Sequence, residues 1–117
     1  MVDFFRKIEE LAEKDNRYHP DAYSFTMDAL NFTQSRLKKL HVSGQELLDG
    51  IREYGLQQFG LMTRTVFEHW GIRKTEDFGE IVFNMIEMGL MSKTDQDSKD
   101  DFKSRYDFQE VFDGKIG

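Results

Sequence analysis

The chain has 117 residues, no Cys and a formal net charge of −6 at pH 7. The lack of Cys excludes disulfides, thiolate catalysis and Cys-based zinc sites, and no apolar run approaches the about 20 residues that a membrane span needs. Because 11 Phe and 38% apolar residues suffice for one packed core, we predict a single domain, residues 1–117. No signal-peptide pattern opens the sequence, so we expect a cytoplasmic protein.

A pair of helices is predicted in residues 1–42. The apolar residues of the segment 3–14 recur on one helical face and indicate the first helix. Pro20 suits the first position of a helix, so the second helix is predicted over residues 20–40, with His19 as its N-terminal cap.

A third helix is predicted over residues 43–59, because Ser43 and Glu46 have the spacing of a capping box. Gly50 and Gly55 lie inside this helix, where Gly is less favourable than Ala by about 1 kcal/mol. We interpret these two glycines as positions where a neighbouring backbone comes close.

Two further helices are predicted over residues 61–70 and 75–89, separated by a tight turn. Gly71 can adopt the left-handed conformation that ends a helix, and Thr75 is a suitable N-cap for the next one. Trp70 closes the apolar stripe of the first of these helices. We therefore predict that Trp70 is the most costly single residue to truncate.

The helical period is lost after Gly89, and two short strands are predicted at residues 90–94 and 106–112. Paired across the polar loop between them, they would form a C-terminal β-hairpin. The fold class is thus mainly α, with about five helices and a hairpin. Three helices followed by a hairpin is the order of a winged helix, here over residues 43–112, and a plain five-helix array with an irregular tail is the alternative. Residues 113–117 are predicted to fray.

Four segments of the chain resemble a family of small uncharacterised bacterial proteins. These segments are Arg17–Tyr23, His41–Leu48, Trp70–Gly71 and Glu76–Phe83. The resemblance covers about residues 5–101 and implies one cytoplasmic bacterial domain. It implies no catalytic residue, substrate or cofactor, because the family has none assigned.

No catalytic, cofactor-binding or metal site is predicted from the residues. The chain's three His are His19, His41 and His69. They lack the spacing of helical metal ligands, and the acidic loop at residues 95–101 lacks the ligand spacing of a calcium loop because Lys99 occupies a ligand position. Ser43 does not lie in a nucleophile elbow. We therefore predict a non-enzymatic protein without a cofactor.

Nucleic acid is a disfavoured partner on electrostatic grounds. The helix predicted over residues 75–89, which would be the recognition helix of a winged helix, has four carboxylates and no Lys or Arg. Those carboxylates would face phosphates with nothing to offset their charge.

Phe83, Met88 and Met91 are the predicted partner-binding residues. Phe83 and Met88 fall beside the main apolar stripe of the last helix, and Met side chains suit adaptable binding surfaces. Core filling is the other interpretation of Met at helical spacing. The sequence thus predicts a small acidic module that binds a protein partner or itself, without a membrane contact. The alternative is a winged-helix regulator that contacts nucleic acid.

Overall fold

The structure is a computed structural model that describes residues 2–93 and 97–113. The described residues form six α-helices and two 3₁₀ turns and contain no strand. The helices are α1 (Val2–Lys14), α2 (Pro20–Leu37), α3 (Gly44–Phe59), α4 (Thr63–His69), α5 (Thr75–Glu87) and α6 (Phe108–Phe112). The 3₁₀ turns are Gly60–Met62 and Lys99–Phe102. The prediction of a mainly α fold is therefore confirmed.

The predicted C-terminal β-hairpin, and with it the winged-helix assignment of residues 43–112, is wrong. Residues 90–93 form a bend and irregular chain, and Thr94 lies outside the described residues. The second predicted strand, residues 106–112, contains α6 instead. Residues 114–117 of the predicted tail also lie outside the part of the chain that the structure describes.

A helix replaces the strand because Asp107 caps it. Asp107 Oδ2 accepts a hydrogen bond from the backbone N–H of Glu110 at 3.1 Å, the arrangement of an N-cap. Phe108, Val111 and Phe112 then fall at i, i+3 and i+4 on one face, and both Phe side chains are buried. The apolar residues that we interpreted as the second strand therefore have helical spacing.

Local sequence signals set several of the other helix boundaries. Ser43 Oγ accepts from the N–H of Glu46 at 3.1 Å, and the Glu46 carboxylate accepts from the N–H of Ser43 at 2.9 Å, so the predicted capping box is confirmed. His19 Nδ1 accepts from the N–H of Asp21 at 3.0 Å and caps α2, as predicted. Gly71 has a φ of 93°, the left-handed conformation predicted for it.

Two boundaries differ from the prediction. The helix α2 ends before residue 40, because Lys38 adopts a left-handed conformation with a φ of 56° although it is not Gly. The N-cap residue of α5 is Lys74 and not Thr75. Asp77 Oδ2 accepts from the backbone N–H groups of Lys74 at 3.2 Å and of Arg73 at 2.8 Å, so a carboxylate inside the first turn satisfies the backbone donors at the start of the helix.

Thr75 joins α5 to the C-terminal segment instead. Its fully buried hydroxyl donates to the carbonyl oxygen of Phe102 at 2.6 Å and accepts from the N–H of Arg105 at 3.1 Å. The Phe102 side chain lies against two glycines, because a Cβ on Gly44 or Gly79 would come within 2.9 or 3.0 Å of it. The C-terminal segment is therefore held against both α3 and α5.

Aromatic rings fill the core around Phe67. Phe67 is 0% exposed, and its ring packs against those of Phe25, Trp70, Phe78, Phe108 and Phe112. Trp70 itself is half-buried. Met62, predicted on the same buried face, is 56% exposed in the first 3₁₀ turn. Phe67, and not Trp70, is therefore the fully buried ring at the centre of this aromatic cluster.

Gly50 and Gly55 mark close packing of α3, as predicted, although side chains and not backbone approach them. A Cβ on Gly50 would overlap the hydroxyl of Thr33 on α2, and a Cβ on Gly55 would lie 3.0 Å from Thr63. Close contact between α2 and α3 follows.

None of the described helices combines the length and the apolar character that crossing a membrane requires.

Candidate functional site

A groove of about 460 Å³ opens between the C-terminal halves of α2 and α5 and the start of α3, and its volume falls within the range of about 300–1,000 Å³ found for ligand pockets. Its apolar lining consists of Leu30, Leu40, Val42, Leu47, Val82, Phe83, Ile86, Leu90, Met91 and Phe102. Its polar lining consists of Gln34, His41, Ser43, Ser92, Asp97, Ser98 and Asp101. We call this feature the α2–α5 groove.

The linker between α2 and α3 forms one side of the groove. After the left-handed turn at Lys38 the chain crosses toward α3, and Leu40 in this linker is 87% exposed. Gln34 Nε2 donates to the carbonyl oxygen of Leu40 at 2.8 Å, and Lys39 Nζ pairs with Glu46 Oε2 at 2.8 Å. These contacts hold the linker in place, although the side chain of Leu40 is not packed in the core.

The C-terminal end of α5 forms the opposite side. Gly89 has a φ of 80°, and the N–H of Leu90 donates to the carbonyl oxygen of Met85 at 2.8 Å. The N–H of Gly89 donates to the carbonyl oxygen of Ile86 at 3.0 Å, and the two bonds together form a Schellman motif. This turn keeps Leu90 and Met91 in the groove lining.

The side chains at the floor of the groove are buried, whereas those at its mouth are at least partly exposed to solvent. Three buried side chains form the floor: Leu47, Val82 and Phe102. Phe83, Ile86 and Met91 are half-buried, and Leu40 is the most exposed apolar residue of the lining. Partly exposed apolar side chains therefore line the mouth, above a buried apolar floor.

Two of the three predicted partner-binding residues lie in the groove. Phe83 and Met91 line it, whereas Met88 lines a separate cavity of about 120 Å³ beside α1. Met88 is therefore not part of the same site. Sequence reasoning did not select Leu40, which it placed in the second helix, or Ile86. The sequence feature that could have identified Leu40 is its position directly after Lys38 and Lys39, at the end of the second helix.

The polar rim of the groove is acidic. His41 Nε2 lies 3.6 Å from Asp97 Oδ1, and Asp101 Oδ2 accepts from the backbone N–H of Ser98 at 3.3 Å. Among the described residues, no Lys or Arg lines the groove. A ligand would therefore meet an apolar floor and a rim that carries carboxylates.

The three histidines do not converge. The rings of His19 and His69 are 6.3 Å apart between centroids, whereas His41 lines the groove. Within residues 2–93 and 97–113, no group of three His, Asp or Glu side chains is arranged to hold a metal ion. Asp95 of the acidic loop lies outside those residues.

A second polar cluster joins the loop between α1 and α2 to α5. Arg17 donates to both carboxylate oxygens of Asp15, at 2.8 and 2.7 Å, and lies 3.3 Å from Glu80. Asn84 Nδ2 donates to Asp15 at 2.9 Å and to the Tyr23 hydroxyl at 3.1 Å. In the described part of the chain, no buried side-chain nitrogen or oxygen lacks a hydrogen-bond partner. The cluster therefore has a structural role and connects the loop between α1 and α2 to α5.

The pKa shifts in this cluster agree with that interpretation. Hydrogen bonds from Arg17 hold the pKa of Asp15 well below its usual range, although burial opposes the shift. Burial raises the pKa of Tyr18, and its hydrogen bond to Asp77 at 2.7 Å raises it further. Both groups are thereby kept in one protonation state near neutral pH, whereas a general acid or base needs a pKa near the working pH.

Comparisons of the chain with known protein families, with curated proteins and with solved structures give no match.

Proposed function

We propose that the protein is a small non-enzymatic module that binds another protein through the α2–α5 groove. The observation that supports this most is the uncovered apolar mouth, where Leu40 is 87% exposed beside the half-buried Phe83 and Met91. Removing apolar surface from water is favourable by about 25 cal/mol per Å². A partner that covers these side chains would therefore gain affinity from surface that the chain leaves exposed.

The chemistry of the lining suits a protein partner. Aromatic and Met side chains are enriched at the buried centres of protein interfaces, which are surrounded by polar rims. Phe83 and Met91 would occupy that centre, and Asp97 and Asp101 would lie at the rim. Self-association through the same groove is the second form of the proposal. The resemblance described above supports a bacterial, cytoplasmic setting.

Nucleic-acid binding is not part of the proposal. A winged helix would be needed to support it, and the described residues form α6 in place of the second strand of the wing. The acidic helix α5 has no Lys or Arg that could contact phosphates favourably.

A capture experiment with matched variants tests the proposal. Leu40→Gln makes the groove mouth polar at a position that is 87% exposed, so the variant should fold. Leu61→Gln is the control, because Leu61 is 72% exposed and lies outside the groove. Each immobilised variant is incubated with native lysate, with and without nuclease. Sedimentation velocity of the purified protein then measures self-association.

We expect proteins to be retained by the native chain and by Leu61→Gln but not by Leu40→Gln, with or without nuclease. Equal retention by the two variants would show that the groove is not the binding surface. Retention that nuclease abolishes would favour nucleic acid. A concentration-dependent dimer that Leu40→Gln dissociates would select self-association.

A further inference from the structure

Among the described residues, the formally charged side chains that line the α2–α5 groove are carboxylates. Asp97 and Asp101 line it, and within the described residues it has no Lys or Arg in its lining. The groove continues into a shallow depression of about 560 Å³ that does contain Lys39 and Arg105. Both cations are already paired there. Lys39 Nζ lies 2.8 Å from Glu46, and Arg105 lies 3.1 and 2.8 Å from the two carboxylate oxygens of Asp49.

We infer that the groove binds a basic amphipathic segment of a partner protein, with apolar side chains over Phe83 and Met91 and a Lys or Arg beside Asp101. This inference rests on the function proposed above and adds the chemistry of the partner. Complementary charge at the rim favours encounter with such a segment and disfavours acidic ones.

Asp101 is the carboxylate best placed to receive the partner's cation. Its Oδ2 accepts from the backbone N–H of Ser98 at 3.3 Å, and its Cβ would lie 2.8 Å from a Cβ on Gly44. The close approach to α3 and this hydrogen bond hold the carboxylate in place without a cation. Asp97 is paired with His41 at 3.6 Å. A Lys or Arg at Asp101 would therefore meet a pre-positioned anion.

The same charges argue against a second copy as the occupant. The chain carries a formal net charge of −6, so two copies repel each other at low salt, and the effect is screened at high salt. A copy that docked in the groove would have to bring a basic, apolar surface from an acidic molecule. A cationic partner has no such cost.

Peptide selection tests the inference with a defined probe. Displayed random peptides of about 12 residues, long enough for the anchor residues of a groove-bound helix, are selected on the native protein. The selected peptides are then synthesised and labelled. Fluorescence anisotropy gives their Kd for the native protein and for three variants: Leu40→Gln, Asp101→Asn and Asp28→Asn. Asn at position 101 keeps an oxygen for the N–H of Ser98. Asp28 is an exposed residue of α2 outside the groove lining and supplies the matched control.

We expect the selected peptides to combine apolar residues with Lys or Arg. Leu40→Gln should weaken their binding by about tenfold or more. Asp101→Asn should weaken it by about threefold or more, and Asp28→Asn should leave it within about twofold. The Kd should also rise as salt is increased from about 0.05 to about 0.5 M.

The outcomes separate the inference from the proposed function. If the peptides depend on Leu40 but are neutral or acidic, or bind Asp101→Asn as tightly as the native protein, the charge inference is overturned and the groove function stands. If no selected peptide is sensitive to Leu40→Gln, the groove is not a peptide-binding surface and both fail.

Discussion

Phe67→Ala should be the most destabilising truncation in the aromatic core. Phe67 is 0% exposed, and its ring centroid lies 5.3 Å from those of Phe25 and Phe78 and 5.4 Å from that of Phe112. These rings come from α2, α5 and α6, and Phe67 itself belongs to α4. One substitution therefore removes the contact that joins four helices.

The size of the effect follows from the buried area. An aromatic side chain buries about 150–250 Å², which corresponds to about 4–6 kcal/mol at about 25 cal/mol per Å². Ala retains part of that area, and measured Phe-to-Ala changes in cores cost about 3–5 kcal/mol. We expect a loss of about 4 kcal/mol in the free energy of unfolding, a large share of the about 5–15 kcal/mol that stabilises a domain.

Urea unfolding followed by far-UV circular dichroism measures this loss. Phe5→Ala is the matched control, because Phe5 is 61% exposed, and it should change the free energy of unfolding by less than about 0.5 kcal/mol. Trp70→Ala, at the half-buried ring that we first expected to matter most, should cost less than Phe67→Ala. A loss below about 1 kcal/mol for Phe67→Ala, or a larger loss for Trp70→Ala, would refute the central role of Phe67.

Three further perturbations test the packing and the polar contacts. Thr75→Val leaves two backbone groups of the C-terminal segment without a partner and should cost about 2 kcal/mol in urea unfolding. Gly50→Ala should destabilise the protein by about 1 kcal/mol, because overlap with Thr33 outweighs the gain in helix propensity. Hydrogen bonds from Arg17 lower the pKa of Asp15 in the folded state, so its stabilisation is present above the unfolded pKa of about 3.9 and is lost as pH falls below it. Asp15→Asn should therefore be less stable at pH 7 and lose less stability on acidification, as measured by urea unfolding across pH.

Each of these perturbations has a control within the chain. Thr65→Val changes an exposed Thr and should have almost no effect, so equal losses for the two Thr variants would contradict the role of the Thr75 hydroxyl. Thr33→Ala should recover part of the loss caused by Gly50→Ala, and additive losses would exclude the proposed overlap. Asp28→Asn removes one exposed carboxylate from α2. If the stability of Asp28→Asn depended on pH as weakly as that of Asp15→Asn, this would argue against a specific contribution from Asp15.

The helix boundaries that could be predicted are those encoded by neighbouring residues. The capping box at Ser43 and Glu46, the cap at His19 and the left-handed Gly71 each involve groups close in the chain. Such signals are visible in a single sequence because the donor and acceptor are only a few residues apart.

The elements that sequence reasoning missed depend on contacts that are distant in the chain. The helix α6 has five residues, too few to be stable alone. Its buried Phe108 and Phe112 pack on Phe67 in α4. Thr75 looked like an N-cap, but its hydroxyl contacts Phe102, a residue 27 positions away. The loss of helical period after Gly89 therefore suggested strands, whereas tertiary packing favours a helix over residues 108–112.

The groove was predictable in part for the same reason. Phe83 stood out because it falls beside the buried stripe of α5, and Met91 because Met side chains suit adaptable binding surfaces. Leu40 did not, because no Gly or Asn stands where α2 ends, and Lys38 takes the left-handed conformation instead. The convergence of the linker, α5 and the C-terminal segment on one groove depends on the packing of Phe102 against Gly44 and Gly79.

Methionine-methyl NMR locates the binding surface most directly, because the methionines report on different parts of the molecule. Met91 lines the groove, Met88 lines the separate small cavity, and Met62 is 56% exposed in the first 3₁₀ turn. The tightest peptide from the selection is titrated into protein labelled at the Met methyl groups. We predict that the Met91 resonance shifts most and saturates with the peptide, while those of Met62 and Met88 stay in place. A saturable shift at Met62 or Met88 with none at Met91 would contradict the assignment of the α2–α5 groove as the binding site.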